Sequence, residues 1–182
     1  MVLLGPAVLG IIAGLATGGR LGNWSELRLR WPWVVAGVLF VRVAVAGSSL
    51  GDIDWLRYVY VASLVALIAW TLWQVKALPG IWLVSIGSAL NLVVISLNNF
   101  RMPVAVAAVS RLAQVGHHGQ YVVLDSTSRL NWLADWITVP SWLGGVFSAG
   151  DAVVGVGLGV VAFAVTRKSP ESRTKLDANQ NS

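Results

Sequence analysis

Asp135 and Asp151 stand sixteen residues apart, on either side of a loop carrying Pro140 and Trp142, and Asp151 opens the last long apolar run, FSAGDAVVGVGLGVVAFAVT. Two carboxylates held close together drive their pKa values apart, so one keeps its proton as an acid while the other acts as base toward water. That is the chemistry of an aspartate-based hydrolase, and charges at the edge of a hydrocarbon core usually mark a site. Asp151 alone has a local explanation, because Ser148 three residues earlier can cap a helix whose positive end the carboxylate then meets. Asp135, in LADWITVP, has no such explanation.

Other polar residues point to binding. Arg42 lies inside an apolar run, where a guanidinium needs a carboxylate (Asp52, Asp135 or Asp151), a carbonyl, a lipid headgroup, or a route by which to snorkel to the surface. Asn91 sits within another such run, where an amide commonly bonds a neighbouring helix. Asn98, Asn99 and Arg101, in NNFRMP, suit a helix C-terminus, since Asn tolerates the left-handed conformation and Arg meets exposed carbonyls. Capping does not require all three. His117 and His118 lie between glycines, with no second cluster at metal-ligand spacing, so no metal site is expected. A neutral His118 near the aspartates can still exchange a proton. With Arg129, the expected binding set is Arg42, Asn98, Asn99, Arg101, His118 and Arg129, beside the catalytic pair Asp135 and Asp151. No cofactor motif is present: Gly155, Gly157 and Gly159 follow no strand and precede no Lys-Ser/Thr, which leaves a small-xxx-small packing face as their reading.

These residues must be positioned by membrane helices. Of 182 residues, 56% are hydrophobic and 12% charged, with a mean hydropathy of +0.71, values that belong to an integral membrane protein. The absence of cysteine excludes disulfides and thiolate chemistry. The net charge of +5 comes from basic residues beside apolar segments, as the positive-inside rule requires, and implies no nucleic-acid partner. An all-α membrane protein of about five transmembrane helices is expected, with spans near 2–17, 31–47, 57–75, 80–97 and 147–166. The first run contains Pro6 and lacks a preceding basic residue, so it reads as a retained helix rather than a signal peptide.

Counting Lys and Arg places eight on one side (Arg20, Arg28, Arg30, Lys76, Arg167, Lys168, Arg173 and Lys175) against four on the other (Arg57, Arg101, Arg111 and Arg129). The expected orientation is N-terminus outside and C-terminus cytoplasmic. Nine of the ten tryptophans fall near span ends, as an aromatic belt does. Residues 98–146 form an outer polar cap, too long for a structureless loop. Within it 103–115 reads as an interfacial or re-entrant helix, 120–124 as extended and 131–137 as a short interfacial turn. Residues 169–182 read as a disordered cytoplasmic tail.

GGRLGNWSELRLRWPW, PGIWLVSIGSALNLVVISLNNFRMPV and LADWITVP with FSAGDAVVGVG resemble an uncharacterised family of small bacterial multi-span membrane proteins. That resemblance names no activity and implies that Arg20, Asn98, Met102, Pro103, Asp135, Phe147, Gly150 and Asp151 belong to the family pattern. More narrowly, ADW with FSAGDAVVGVG is similar to the C-terminal part of lipoprotein signal peptidase, an intramembrane aspartyl protease, which implies Asp135 and Asp151 as a dyad on the outer face. Phe147-Ser148 and Gly150 stand where that family has Phe-Asn and Ala, and its Gly-Asn…Asp-Arg pattern at a helix end is not reproduced.

Three functional expectations follow for a bacterial inner-membrane protein in contact with membrane lipid. One is an extracytoplasmic site that binds or processes a lipid-linked or peptide substrate. The second is an aspartyl hydrolase of the lipoprotein-peptidase type. The third is a non-catalytic subunit that packs against other membrane subunits.

Overall fold

The long apolar runs become helices. The computed structural model describes residues 4–27, 29–47, 55–105, 117–118, 120–139 and 146–167. Five α-helices lie among them: α1 (Leu4–Ala16), α2 (Trp33–Gly47), α3 (Leu56–Trp73), α4 (Ile81–Leu97) and α5 (Ala149–Arg167). Pro6 does not break α1, because it falls in the first turn, where an absent N–H leaves no bond unmade. Of these helices α3 and α5 are long and apolar enough to cross a membrane, while α1 and α4 are apolar but have only 13 and 17 residues.

The helices adjoin in the order α2, α3, α4, α5, α1, so the first and last are neighbours. Gly10 lies against Gly159 and Gly14 against Thr166, which makes α1 and α5 parallel. Gly87 lies against Val154 and Gly157 against Val84, which makes α4 and α5 antiparallel. Close approach depends on these glycines: a Cβ at Gly10 would run into the Gly159 carbonyl, and one at Gly157 would lie 2.8 Å from the Val84 nitrogen. The two sides of α5 therefore use different glycines, Gly159 toward α1 and Gly150 and Gly157 toward α4.

One end of the bundle is closed by the 3₁₀ helix Leu21–Glu26. The Arg20 N–H and Asn23 Nδ2 both donate to the Thr166 carbonyl at 2.9 Å, and Trp24 Nε1 donates to Thr166 Oγ1 at 3.0 Å. These bonds satisfy acceptors that a helix end leaves open. At the same end Trp70 is buried, not part of the expected belt; its Nε1 and Gln74 Nε2 both donate to the Arg30 carbonyl. An aromatic with one polar atom is buried readily when that atom has a partner. Trp31 and Trp73 are exposed, with the Arg30 guanidinium 5.1 Å from the Trp73 ring centre.

The opposite end carries the polar cap, which is not purely helical. Strands β1 (Met102–Val104), β2 (His117–His118) and β3 (Tyr121–Val123) form a sheet in the order β1-β3-β2, with β1 parallel and β2 antiparallel to β3. Strands β4 (Ile137–Thr138) and β5 (Val146–Phe147) make an antiparallel pair. The expected interfacial helix therefore does not begin at Pro103, and 106–116 lie outside the described residues. A proline biases the residue before it toward extended backbone, and the Met102 N–H is then spent on the Gln120 carbonyl. The extended 120–124 segment and the short 131–137 turn correspond to β3 and to the 3₁₀ helix Asn131–Leu133. A core of Tyr60, Leu64, Val94, Ile95, Met102 and Leu133 ties the cap to α3 and α4.

Candidate functional site

Ser148 stands immediately before α5 and Asp151 in its first turn. The Asp151 N–H donates to Ser148 Oγ at 2.9 Å and the Ser148 N–H reaches back to Asp151 Oδ2 at 3.4 Å. This is the reciprocal arrangement of a capping box. Across the helix pair, Asn91 of α4 donates from Nδ2 to Asp151 Oδ1 at 2.8 Å, and its Oδ1 accepts from Ser148 Oγ at 2.9 Å. A Cβ at Gly150 would occupy the place of Asn91 Oδ1. Asn91, Ser148 and Asp151 thus form a closed ring of hydrogen bonds, side chain to side chain across the helix pair and backbone to side chain within the cap, and both Asp151 oxygens are engaged in it.

Asp135 is held by its backbone. It bridges to Val104, its N–H donating to the Pro103 carbonyl at 3.0 Å and its carbonyl accepting from the Ala105 N–H at 2.9 Å. Its side chain is buried. Tyr121 feels both aspartates: burial first, then the neighbouring Tyr60, Asp135 and, more weakly, Asp151 hold its phenol far above the usual tyrosine range, while a hydrogen bond with Gln120 acts the other way. The phenol therefore keeps its proton, and both carboxylates lie within electrostatic reach of it.

The expected binding residues gather elsewhere on the cap. Asn98, Asn99, Arg101 and Arg129 line a cavity of about 460 Å³, together with Leu97, Asp125, Thr127 and Ser128. Asp135 and Asp151 are not among its lining residues. The side chains of Arg42 and His118 lie outside the described residues. Asn98 builds the cavity by joining its walls: Oδ1 accepts from the Arg129 N–H at 2.8 Å, and Nδ2 donates to the carbonyls of Arg129 and Val94 at 2.9 and 2.8 Å. Asn99 and Phe100 follow at φ 55° and 61°, the left-handed region that Asn accepts and that strains a bulky side chain. The Phe100 ring is packed 5.2 Å from that of Tyr58.

The facing wall is an Asx turn. Asp125 Oδ1 accepts from the Thr127 N–H and Oγ1 at 2.8 and 2.7 Å, and from the Ser128 N–H and Oγ at 3.0 and 3.1 Å. Asp125-Ser-Thr-Ser carries a recognisable turn signal, but nothing in it announces that the turn faces Asn98. The Thr127 bonds, with smaller help from Ser128, hold the Asp125 carboxyl below the usual carboxylate range. A depressed carboxylate stabilises the turn above its unfolded pKa and loses that contribution as pH falls through the folded one. Amide hydrogen exchange at Thr127 and Ser128, corrected for intrinsic pH dependence, is therefore expected to lose protection only below the ordinary carboxylate pKa; protection unchanged down to pH 2 would contradict this.

Among the described residues no group of three or more His, Cys, Asp or Glu is placed to hold a metal. Comparison with curated proteins and with solved structures finds no match. A family model, that of a family of unknown function (DUF5317), matches residues 26–163, a stretch that takes in α2 to α4, the whole cap and most of α5. The chain belongs to the DUF5317 family.

Proposed function

We propose that this is a five-span protein of the bacterial inner membrane, N-terminus outside and C-terminus cytoplasmic, whose extracytoplasmic end binds the polar part of a lipid-linked or peptide substrate. The observation that carries the binding reading is the polar cavity at the end of α4, built from residues far apart in sequence and including both Arg101 and Arg129. Supporting the membrane reading, large apolar side chains cover the outside of the bundle: Leu9 and Phe40 are 67% and 74% exposed, with Leu4, Val8, Ile12, Leu15 and Leu39 beside them. Faces of that kind belong in lipid. The antiparallel α4 and α5 and the parallel α1 and α5 agree with alternating passage of five spans. Short helices such as α1 are accommodated by local bilayer thinning and anchored by Trp and Arg at their ends.

Binding is preferred to hydrolysis because Asp151 is engaged through both oxygens in the cap and the Asn91 bond. It is preferred to a purely structural subunit because a packing surface needs no polar cavity. The chain is free of cysteine, so Ser128→Cys and Lys76→Cys each supply a single reporter. A membrane-impermeant maleimide applied to intact cells is expected to reach Ser128→Cys and not Lys76→Cys. Labelling of Ser128→Cys is further expected to accelerate several-fold when membranes are extracted and delipidated, and to slow again when membrane lipid extract is returned. The reverse labelling pattern overturns the orientation, and a rate indifferent to lipid overturns the lipid-linked form of the binding reading.

A further inference from the structure

We infer that the cavity between the end of α4 and residues 122–129 is a phosphate site, taking a phosphate-bearing headgroup with hydroxyls attached, with Arg101 and Arg129 meeting the phosphate. This rests on the binding reading above and names its ligand class. Three observations carry it.

The first is charge. The lining includes two arginines, Arg101 and Arg129, and its one aspartate, Asp125, points Oδ1 into its own turn, where it accepts four bonds. A guanidinium presents a rigid fork of donors that matches phosphate oxygens, which is why arginine serves phosphate recognition. The negative end of the α4 dipole does not counteract this fully, because the Val94 carbonyl is taken by Asn98.

The second is construction. Asn98 bonds the Arg129 N–H and carbonyl together, and so holds residue 129 at a set position relative to Arg101, three residues along the chain from Asn98. The two flanking turns are left-handed at Asn99, Phe100 and Leu130. Strain of this kind persists where the surroundings impose it, and it collects at ligand clamps. A cavity held open in this way binds without first having to be ordered.

The third is size and level. At about 460 Å³ the cavity has the capacity of a small-molecule site and exceeds what phosphate alone would fill. Asn99, Thr127 and Ser128 also line it; the two hydroxyls give their protons to Asp125 and keep oxygen lone pairs that suit glycerol or sugar hydroxyls. Leu97, the last residue of α4, is part of its lining. In the five-span reading that is the depth at which an apolar span gives way to headgroups.

The test is equilibrium binding to the full chain purified in dodecyl maltoside. Three probes are used: phosphatidylglycerol in mixed micelles, soluble glycerol 1-phosphate, and dioleoylglycerol, which has the same tails and no phosphate. Phosphatidylglycerol is expected to bind, dioleoylglycerol not to. Kd for phosphatidylglycerol is expected to rise about tenfold or more in Arg129→Gln, the loss of a charge-assisted hydrogen bond, less in Arg129→Lys, and under about twofold in Arg167→Gln at the opposite end. The Arg129 side chain is exposed, so these variants fold. Binding of phosphatidylglycerol alone assigns the phosphate to a lipid headgroup; binding of glycerol 1-phosphate as well assigns it to a soluble compound; either supports the site. Equal affinity in the wild type and Arg129→Gln overturns it. Failure of both phosphate probes, while lipid extract still protects Ser128→Cys, overturns the phosphate assignment and spares the binding reading. Failure of both together with loss of that protection overturns the two at once.

Discussion

Gly150→Ala is expected to lower the stability of the protein by about 2–4 kcal/mol, although it adds one methyl group. The new Cβ would fall on Asn91 Oδ1 and within 2.8 Å of the Gly87 carbonyl. Either α4 and α5 move apart, or Asn91 leaves its place and its bonds to Ser148 and Asp151 go with it. Overpacking of a tight contact costs about 1–3 kcal/mol, and each interhelical bond in a membrane contributes roughly 0.6 kcal/mol. Neighbouring glycines provide the control. A Cβ at Gly5 or Gly37 meets nothing within 4 Å, so Gly5→Ala and Gly37→Ala are expected to be neutral or to stabilise by up to about 1 kcal/mol through helix propensity. Thermal unfolding in detergent, followed by the fluorescence of the ten tryptophans, separates these outcomes. Equal melting of Gly150→Ala and Gly5→Ala would show that the α4–α5 contact is looser than described.

Asp151→Ala is expected to cost about 2–3 kcal/mol, and Asp151→Asn less than about 1 kcal/mol. Alanine removes the acceptor of Asn91 Nδ2 and of the Ser148 N–H, which leaves an amide donor unsatisfied between helices. Asparagine keeps an oxygen for Asn91 and sets its amide only against the longer 3.4 Å contact. If Asp151 is a capping residue, Asp151→Asn also keeps the lipid protection of Ser128→Cys. A fully folded Asp151→Asn protein that has lost a processing activity found for the wild type would instead return the aspartate pair to catalysis.

Much of this was legible in the residues. The five helices follow from apolar runs, and Ser148 with Asp151 reads as a helix start from residue type and spacing alone. Asn98, Asn99 and Arg101 are recognisable as a polar cluster at the end of an apolar run, and they line one cavity together with Arg129. What stayed hidden was contact at long range. Asn98 and Arg129 are joined across 31 residues, and Tyr121 of the cap lies within electrostatic reach of Tyr60 of α3 and of both aspartates. No local pattern encodes such meetings. Trp70 was misread for a related reason: its period and position fit a belt, and only the Arg30 carbonyl waiting for its N–H makes burial favourable. The start of the cap was misread because the apolar composition of 103–115 suits a helix, whereas pairing with β3 prevails at Pro103.

The parallel seating of α1 against α5 also constrains the order in which the bundle is assembled. Partners separated by some 150 residues bring a large loop-closure entropy and slow the steps that join them. Until residue 167 has been made, the Gly10 and Gly14 groove of α1 has no Gly159 and Thr166 to fill it, and α4 has no acceptor on Asp151 for its buried amide. Of the described helices α5 is made last, and it is the one on which both sides of the bundle close, so the packing of α1 to α4 is settled only once α5 is present.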